Sequence, residues 1–369
     1  VTETPLKAFA PGAQATVVDS RGKPLGSAFV NPNTLIAGRL YSREAGRVFD
    51  ASLLVHRLNV ALSLREKLFP TPHYRLVYGD SDGLPGLVVD RYGDVLVVQV
   101  GTAGMEALRE EIVAALVKVL KPQGILLRND GAVRALEGVP EEIVVAWGEV
   151  PALAELEENG VRFVAPVREG QKTGWFYDHR DNRARLAAMS RGARVLDVFS
   201  YVGGWGVQAA AGGAAQVLCV DSSAPALALV ADNAARNGVE ARVQTLQGEA
   251  FAVMKELLDA GERFDIVVID PPAFIKRRKD AEQGLTAYRR ANELAMRLLA
   301  RDGYLVSASC SMHLPAEGLM DIVRATGRQV DRQVQVIAQG GQGADHPVLP
   351  AIPETDYLKA IFARVTPTL

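Results

Sequence analysis

The chain has 369 residues, 48% of them hydrophobic and 23% charged, which is the composition of a globular protein of roughly two or three domains. No apolar run approaches the ~18 residues of a membrane helix and no signal peptide is visible. A net charge of −2 argues against binding nucleic acid by bulk charge, and two distant cysteines, Cys219 and Cys310, argue against a disulfide framework and for a reducing cytoplasm.

No internal repeat or low-complexity stretch is present. Residues 1–47 predict short strands at 15–19, 26–30 and 34–37, as in part of a small β-barrel too short to bury a core of its own. Residues 48–70 place Leu53, Leu54, Leu58, Val60, Ala61, Leu64 and Leu68 at amphipathic-helix spacing, ended by Pro70 and Pro72. Residues 71–165 read as a small α+β unit, with strands at 74–78, 87–90, 95–100, 124–128 and 142–147 and a helix over 106–120. The turn-rich run 79–86 separates the first two strands.

Over 166–369 strand and helix alternate. Strands are predicted at 194–199, 216–221, 242–247, 264–270, 304–310, 332–337 and 357–364. The first five are apolar, β-branched runs, as expected of strands buried on both faces, so the pattern predicts a doubly wound α/β sheet. The last two lack a long helix between them, which predicts an antiparallel pair at the sheet edge.

Ligands of such sheets bind beyond the carboxyl ends of the strands. The first strand runs into Asp197-Val198-Phe199-Ser200-Tyr201-Val202-Gly203-Gly204-Trp205-Gly206. This loop lacks the full dinucleotide fingerprint and the Walker lysine, and Asp197 suits a cofactor bearing a sulfonium and an ammonium better than a pyrophosphate. A tight turn without a ligand is the alternative. Asp221, 24 residues further on, can accept from both hydroxyls of a ribose, beside Ser222, or can cap the next helix, a role open also to Ser223. Glu249 and Ala250 stand where an adenine edge is gripped, or simply start a helix.

The fourth strand ends Asp270-Pro271-Pro272-Ala273-Phe274. Two prolines cannot continue a ladder, and the rigid corner suits orienting a planar base. The fifth ends Ser309-Cys310-Ser311, on the strand expected next to Asp270. A Cys310 thiolate there would be a nucleophile, whereas Cys219, in mid-strand, reads as a small buried residue. Lys276, Arg277, Arg278 and Lys279 follow the corner, as a solvated face or as phosphate contacts. Residues 170–183 either close over the cofactor's methionine end or form a capped helix with a charged face. His179, His313 and His346 match no metal pattern, and no metal is expected; His313 reads as a surface residue, with tuning of Cys310 as its alternative.

Together these residues resemble the bacterial 23S ribosomal RNA cytosine-carbon-5 methyltransferases, built from a PUA domain, a central α+β domain and a class I Rossmann-like methyltransferase domain. The resemblance runs along nearly the whole chain. It includes Gly83-Leu84-Pro85-Gly86-Leu87-Val88-Val89-Asp90, residues 170–183, the Asp197 loop, Asp221, the Asp270 corner, Ser309-Cys310-Ser311, Asp345-His346-Pro347 and Tyr357-Leu358-Lys359. It divides the chain into a PUA-like RNA-binding domain (1–47), a linking helix (48–70), a central domain (71–165) and a methyltransferase domain (166–369). The PUA domain is expected to be truncated, the chain opening on Val1, and Trp205 stands where the family more often has Phe.

With the strand-end reading, the resemblance implies S-adenosylmethionine contacts from Asp197, Phe199, Ser200, Tyr201, Gly203, Asp221, Ser222, Glu249, Ala250 and Asp270. It implies substrate contacts from Pro271, Pro272, Phe274, Lys276, Arg277, Arg278 and Lys279, and catalysis by Cys310 and Asp270. Ribosomal RNA is the implied partner, without a membrane, and a homodimer is implied by the resemblance alone. No second cysteine lies beside the Pro-Pro corner, so one Cys must both attack and leave. Two other classes stay open: a methyltransferase acting on an RNA nitrogen, which needs no Cys, and a non-catalytic RNA-binding or ribosome-associated factor.

Overall fold

The structure is a computed structural model and describes residues 5–368. Two compact units are present. The first takes in the chain up to Leu156, with Ala165–Tyr177 and Ala344–Thr355; the second takes in Glu157–Val164, Asp178–Gly343 and the residues from Asp356 onward.

The first unit opens with an antiparallel sheet of β1 (Ala13–Val18), β2 (Pro24–Val30) and β3 (Gly38–Ser42). The strand predicted at 34–37 is a turn, and the third strand begins just after it. Asn31 accepts from the Asn33 amide through its side chain, and the Thr34 hydroxyl donates to the carbonyl of Ile36. These local bonds outweigh the apolar Leu35 and Ile36, both of which are exposed. Helix α1 (Ala51–Leu68) is capped by Asp50, which accepts from the Leu53 amide, and buries Leu54, Leu58 and Ala61.

A five-stranded sheet follows, ordered β4-β5-β6-β7-β8: β4 (His73–Tyr78), β5 (Leu87–Tyr92), β6 (Val95–Val100), β7 (Gly124–Asn129) and β8 (Glu142–Gly148). Only β6 and β7 pair in parallel. The helix predicted over 106–120 is two, α2 (Ala103–Glu106), capped by Thr102, and α3 (Arg109–Leu120). Helix α4 (Val133–Glu137) precedes β8. The small N-terminal sheet shares the core of this unit. Phe29, Tyr41 and Phe49 pack ring against ring at 4.7–5.2 Å, and a Cβ at Gly104 would lie 2.4 Å from the Phe29 ring. Asp345 and His346 also belong here. Both are buried, Asp345 accepts from the Arg75 amide, and His346 packs on Tyr78 at 5.2 Å.

The strands β9 (Leu153–Glu158) and β10 (Val161–Pro166) form a hairpin that the sequence pattern does not anticipate, and helix α5 (Arg180–Met189) follows. The second unit is then a seven-stranded sheet. In chain order its elements are β11 (Arg194–Val198), α6 (Gly204–Ala211), β12 (Gln216–Asp221), α7 (Ala224–Arg236), β13 (Val243–Gln247), α8 (Ala250–Asp259), β14 (Phe264–Ile269), α9 (Ala281–Leu298), β15 (Leu299–Ser309), α10 (Ala316–Gln329), β16 (Arg332–Gly340) and β17 (Lys359–Pro367). The sheet order is β13-β12-β11-β14-β15-β17-β16, with β17 antiparallel to both neighbours. Val195, Leu196, Val198, Ile266, Val267 and Val268 are buried without alternation, which requires covering layers on both faces. β13, expected to be buried on both faces, is instead the edge strand of the sheet, with Gln244, Thr245 and Gln247 exposed. At about 1.5–3 kcal/mol per buried aliphatic side chain, this core holds the strand ends in place. The order reverses between β11 and β14, so the crevice of this fold opens at the Phe199–Gly204 turn and at Asp270.

Candidate active site

On one side of the reversal the site is built from backbone. Phe199 (φ 66°) and Tyr201 (φ 49°) both adopt the left-handed region, at a cost of about 1 kcal/mol each, and Gly203 (φ 84°) leads into α6. The contorted turn aims the Tyr201 amide at Asp221 Oδ2, 2.8 Å away. The Ser223 amide donates to Oδ1 at 2.9 Å, so two amides orient the Asp221 carboxylate and each oxygen keeps a further lone pair. Ser223 caps α7 through its own hydroxyl, so binding and capping are divided between neighbours. Ser222 and Glu249 are exposed, Glu249 caps nothing with its side chain, and Ala250 is buried at the start of α8.

Asp197 lies elsewhere. It is fully buried, its Oδ2 accepts from the Gly206 amide at 2.8 Å, and its neighbour is Cys219. Burial pushes its carboxyl up to about 7. Its contacts tie the first turn of α6 to β11. A Cβ at Gly206 would lie 2.4 Å from the Cys219 sulfur, which is how closely that helix approaches.

The donor set tests the cofactor. The turn 199–204 has no basic side chain, Asp221 offers oriented acceptors, and the buried Ser200 hydroxyl has no hydrogen-bond partner. These groups fit a nucleoside with free hydroxyls and a positive charge, and they do not fit a pyrophosphate.

On the other side the site is built from side chains. Asp270 directly follows β14 and precedes buried Pro271 and exposed Pro272. Trp205 donates from Nε1 to Asp270 Oδ2 at 2.9 Å, and His179 Nε2 lies 3.2 Å from Oδ1. The His179 and Trp205 rings pack at 4.9 Å, and His179 Nδ1 contacts the Asn182 amide at 3.2 Å. Burial alone would raise the Asp270 carboxyl, but His179 and Trp205 hold it below the usual carboxylate range. In the stretch 170–183 a helix begins only at Arg180. It has no side-chain cap and, against the expected solvated charged face, buries Arg180, Asn182 and Arg183, while His179 at its start reaches Asp270.

Phe274 sits in an aromatic cluster, 4.8 Å from Tyr288, 6.1 Å from Phe251 and 6.2 Å from Phe199. The serines flanking Cys310 are pinned. The Ser309 hydroxyl donates to the Tyr288 phenol at 2.8 Å and the Ser311 hydroxyl to the carbonyl of Ile275 at 2.6 Å. Cys310 is part-exposed, unlike the buried Cys219. Opposite Ser309 on β17 stands Lys359, whose ammonium donates to the carbonyls of Ser311 (2.6 Å) and Tyr357 (2.7 Å). Lys276, Arg277, Arg278 and Lys279 are exposed, and Arg277 pairs with Asp280. His313 is exposed. Among the described residues no group of three or more His, Cys, Asp or Glu could hold a metal.

The strand ends thus bring Phe199, Asp221, Glu249, Asp270 and Cys310 to one edge of the sheet. Of the residues that join them, Trp205 lies in the glycine-rich turn, and His179 and Lys359 lie in motifs of the resemblance, but nothing in the sequence singles any of them out as reaching the site, and Tyr288 has no sequence signal.

The strand order with its reversed seventh strand defines a class I methyltransferase fold. A family model described as S-adenosylmethionine-dependent methyltransferase matches residues 126–362, and a PUA-like domain model matches residues 3–43. The chain belongs to the S-adenosylmethionine-dependent methyltransferase family, and S-adenosylmethionine is its cofactor. It is 35% identical over 360 residues to ribosomal RNA large subunit methyltransferase I of Erwinia tasmaniensis, covering 96% of this chain and 91% of that one. It is 34% identical over 359 residues to the protein of the same name from Yersinia pestis bv. Antiqua, with the same coverage. The solved structure of SMU.776, assigned as a methyltransferase and complexed with SAH, superposes with a TM-score of 0.84 at 22% identity, covering 96% of this chain and 92% of that one.

Proposed function

We propose that this protein methylates carbon 5 of a cytosine in large-subunit ribosomal RNA through a covalent adduct with Cys310. The observation that carries the reading is the part-exposed Cys310 on the strand next to Asp270, at the same sheet edge as the oriented Asp221 carboxylate. The names of the Erwinia and Yersinia relatives supply the substrate class.

Carbon 5 of cytosine is a weak nucleophile. The Cys310 thiolate forms a bond to carbon 6 with its lone pair, and the double-bond pair becomes available at carbon 5. Ring nitrogen 3 takes up a proton from solvent as the charge of the adduct reaches it and gives it back when the product forms. The ionised Asp270, fixed by Trp205 and His179, accepts a hydrogen bond from that N–H and stabilises the adduct. S-adenosylmethionine supplies, when bound, the electrophilic methyl group that carbon 5 takes. Loss of the carbon-5 proton to a base restores the double bond as the carbon–sulfur bond breaks, and Cys310 leaves as thiolate. Asp221 and Glu249 would hold the nucleoside, with Phe199, Ser200, Tyr201, Gly203, Ser222 and Ala250 shaping its seat and Asp197 holding α6 behind it. The target base must be unpaired or flipped to reach this edge. Pro271, Pro272 and Phe274 flank it, and exposed Lys276–Lys279 with the PUA-like sheet provide contacts to RNA.

The test is transfer of labelled methyl to large-subunit ribosomal RNA, followed by digestion to nucleosides. The expected product is 5-methylcytidine, with Cys310→Ala slower by about a thousandfold or more. A methylated ring or exocyclic nitrogen, together with near-normal turnover of Cys310→Ala, would replace this reading by the nitrogen methyltransferase.

A further inference from the structure

Lys359 belongs to a motif that the reading above leaves without a task. It is half-buried on β17, and the pairing of β15 with β17 sets it opposite Ser309, the residue before Cys310. Its ammonium is anchored rather than mobile. One N–H meets the carbonyl of Ser311, the residue after Cys310, and another meets the carbonyl of Tyr357. A lysine held at the surface for solubility would extend into water. This one is folded back onto the backbone that carries the cysteine.

We propose that Lys359 is the positioning residue for Cys310, its fixed positive charge sustaining the thiolate at neutral pH. The inference rests on Cys310 being the nucleophile. A free thiol titrates near 8.5, so at pH 7 only a few per cent is thiolate, and a cation nearby enlarges that fraction.

The neighbouring charges agree in sign. Burial pulls the Lys359 ammonium toward its neutral form, while the charges of Cys310 and Asp356 favour the cation. The coupling is reciprocal: if the thiolate favours the ammonium, the ammonium favours the thiolate to the same extent. Tyr288, on α9, stays neutral because burial pushes its phenol up. Asp270 is the negative group on the adjoining strand that opposes a thiolate, and its two oxygens are engaged by Trp205 and His179. When the Cys310 proton departs to solvent, the charge left behind is therefore favoured by the anchored Lys359 ammonium and opposed by a carboxylate already partnered. A cation in close range displaces a titration by roughly one to three pH units.

The experiment reads the thiol directly in the intact, cofactor-free protein. The rate of Cys310 alkylation by iodoacetamide is followed by mass mapping from pH 5 to 10, in wild type, Lys359→Met and Lys359→Arg. Wild type is expected to show a midpoint below that of a free thiol. Lys359→Met should raise it by about one pH unit, lose turnover at pH 7 and regain part of it at pH 9, while Lys359→Arg keeps the low midpoint. An unchanged midpoint in Lys359→Met overturns the proposal. So does a wild-type midpoint at or above about 8.5, a result that needs no variant to fold. If Cys310→Ala stays active while the midpoints move as expected, the electrostatic pairing stands and the covalent mechanism falls, so the two failures are separable.

Discussion

The two sides of the strand-order reversal solve the same problem, holding a carboxylate at a sheet edge, by different means. Asp221 is oriented by backbone amides that a strained turn delivers, two of its residues being left-handed. Asp270 is oriented by an indole and an imidazole from other parts of the chain. A backbone-built grip tolerates most side chains so long as the turn keeps its shape. A side-chain grip depends on particular atoms, and one substitution can release it.

The widest break of this comparison is expected at Cys310, where replacement by Ala should abolish nearly all transfer and leave cofactor binding intact by calorimetry. Asp221→Ala should act on the opposite side alone, weakening S-adenosylmethionine binding by about 10–100-fold, the worth of hydrogen bonds to a charged acceptor. Trp205→Phe removes the Asp270 bond while keeping a ring in place. Turnover should fall by about tenfold with cofactor affinity unchanged; equal loss in both would mean that the two sides are not separate devices.

The smallest effect concerns stability at Asp197. Its carboxyl rises from 3.8 to about 7 on folding, so between those values the folded protein holds a proton that the unfolded chain has lost. This contribution is full below pH 3.8 and fades as pH rises through about 7, with a slope of up to about 1.4 kcal/mol per pH unit. Asp197→Asn keeps an acceptor for the Gly206 amide and should flatten that slope in urea unfolding measured across the window.

The same contrast explains what could be read in the sequence. The strand at Val267–Ile269 was legible because burial on both faces writes a continuous apolar run, the strand at Val195–Val198 was legible despite the buried Asp197 within it, and the acid at Asp221 was legible because it ends an apolar run. The turn at Thr34 and the break at Ala107-Leu108 were not. The first is decided by side-chain bonds from Asn31 and Thr34, and the second interrupts an uninterrupted helical pattern. Trp205 and His179 meet Asp270 only through tertiary packing, across 65 and 91 residues of chain. Lys359 meets the Cys310 segment only through a strand register, which no local pattern encodes.

That register has a further consequence. β17 comes after all other strands in chain order, yet it lies between β15 and β16. During synthesis, β15 therefore waits with an open edge of unpaired amides and carbonyls until residues 359–367 emerge and insert. Pairings this distant close slowly, and an uncovered edge recruits foreign strands in the meantime. The nascent sheet is thus most prone to aggregate just before β17 pairs, and the segment that ends this exposure is the one that delivers Lys359.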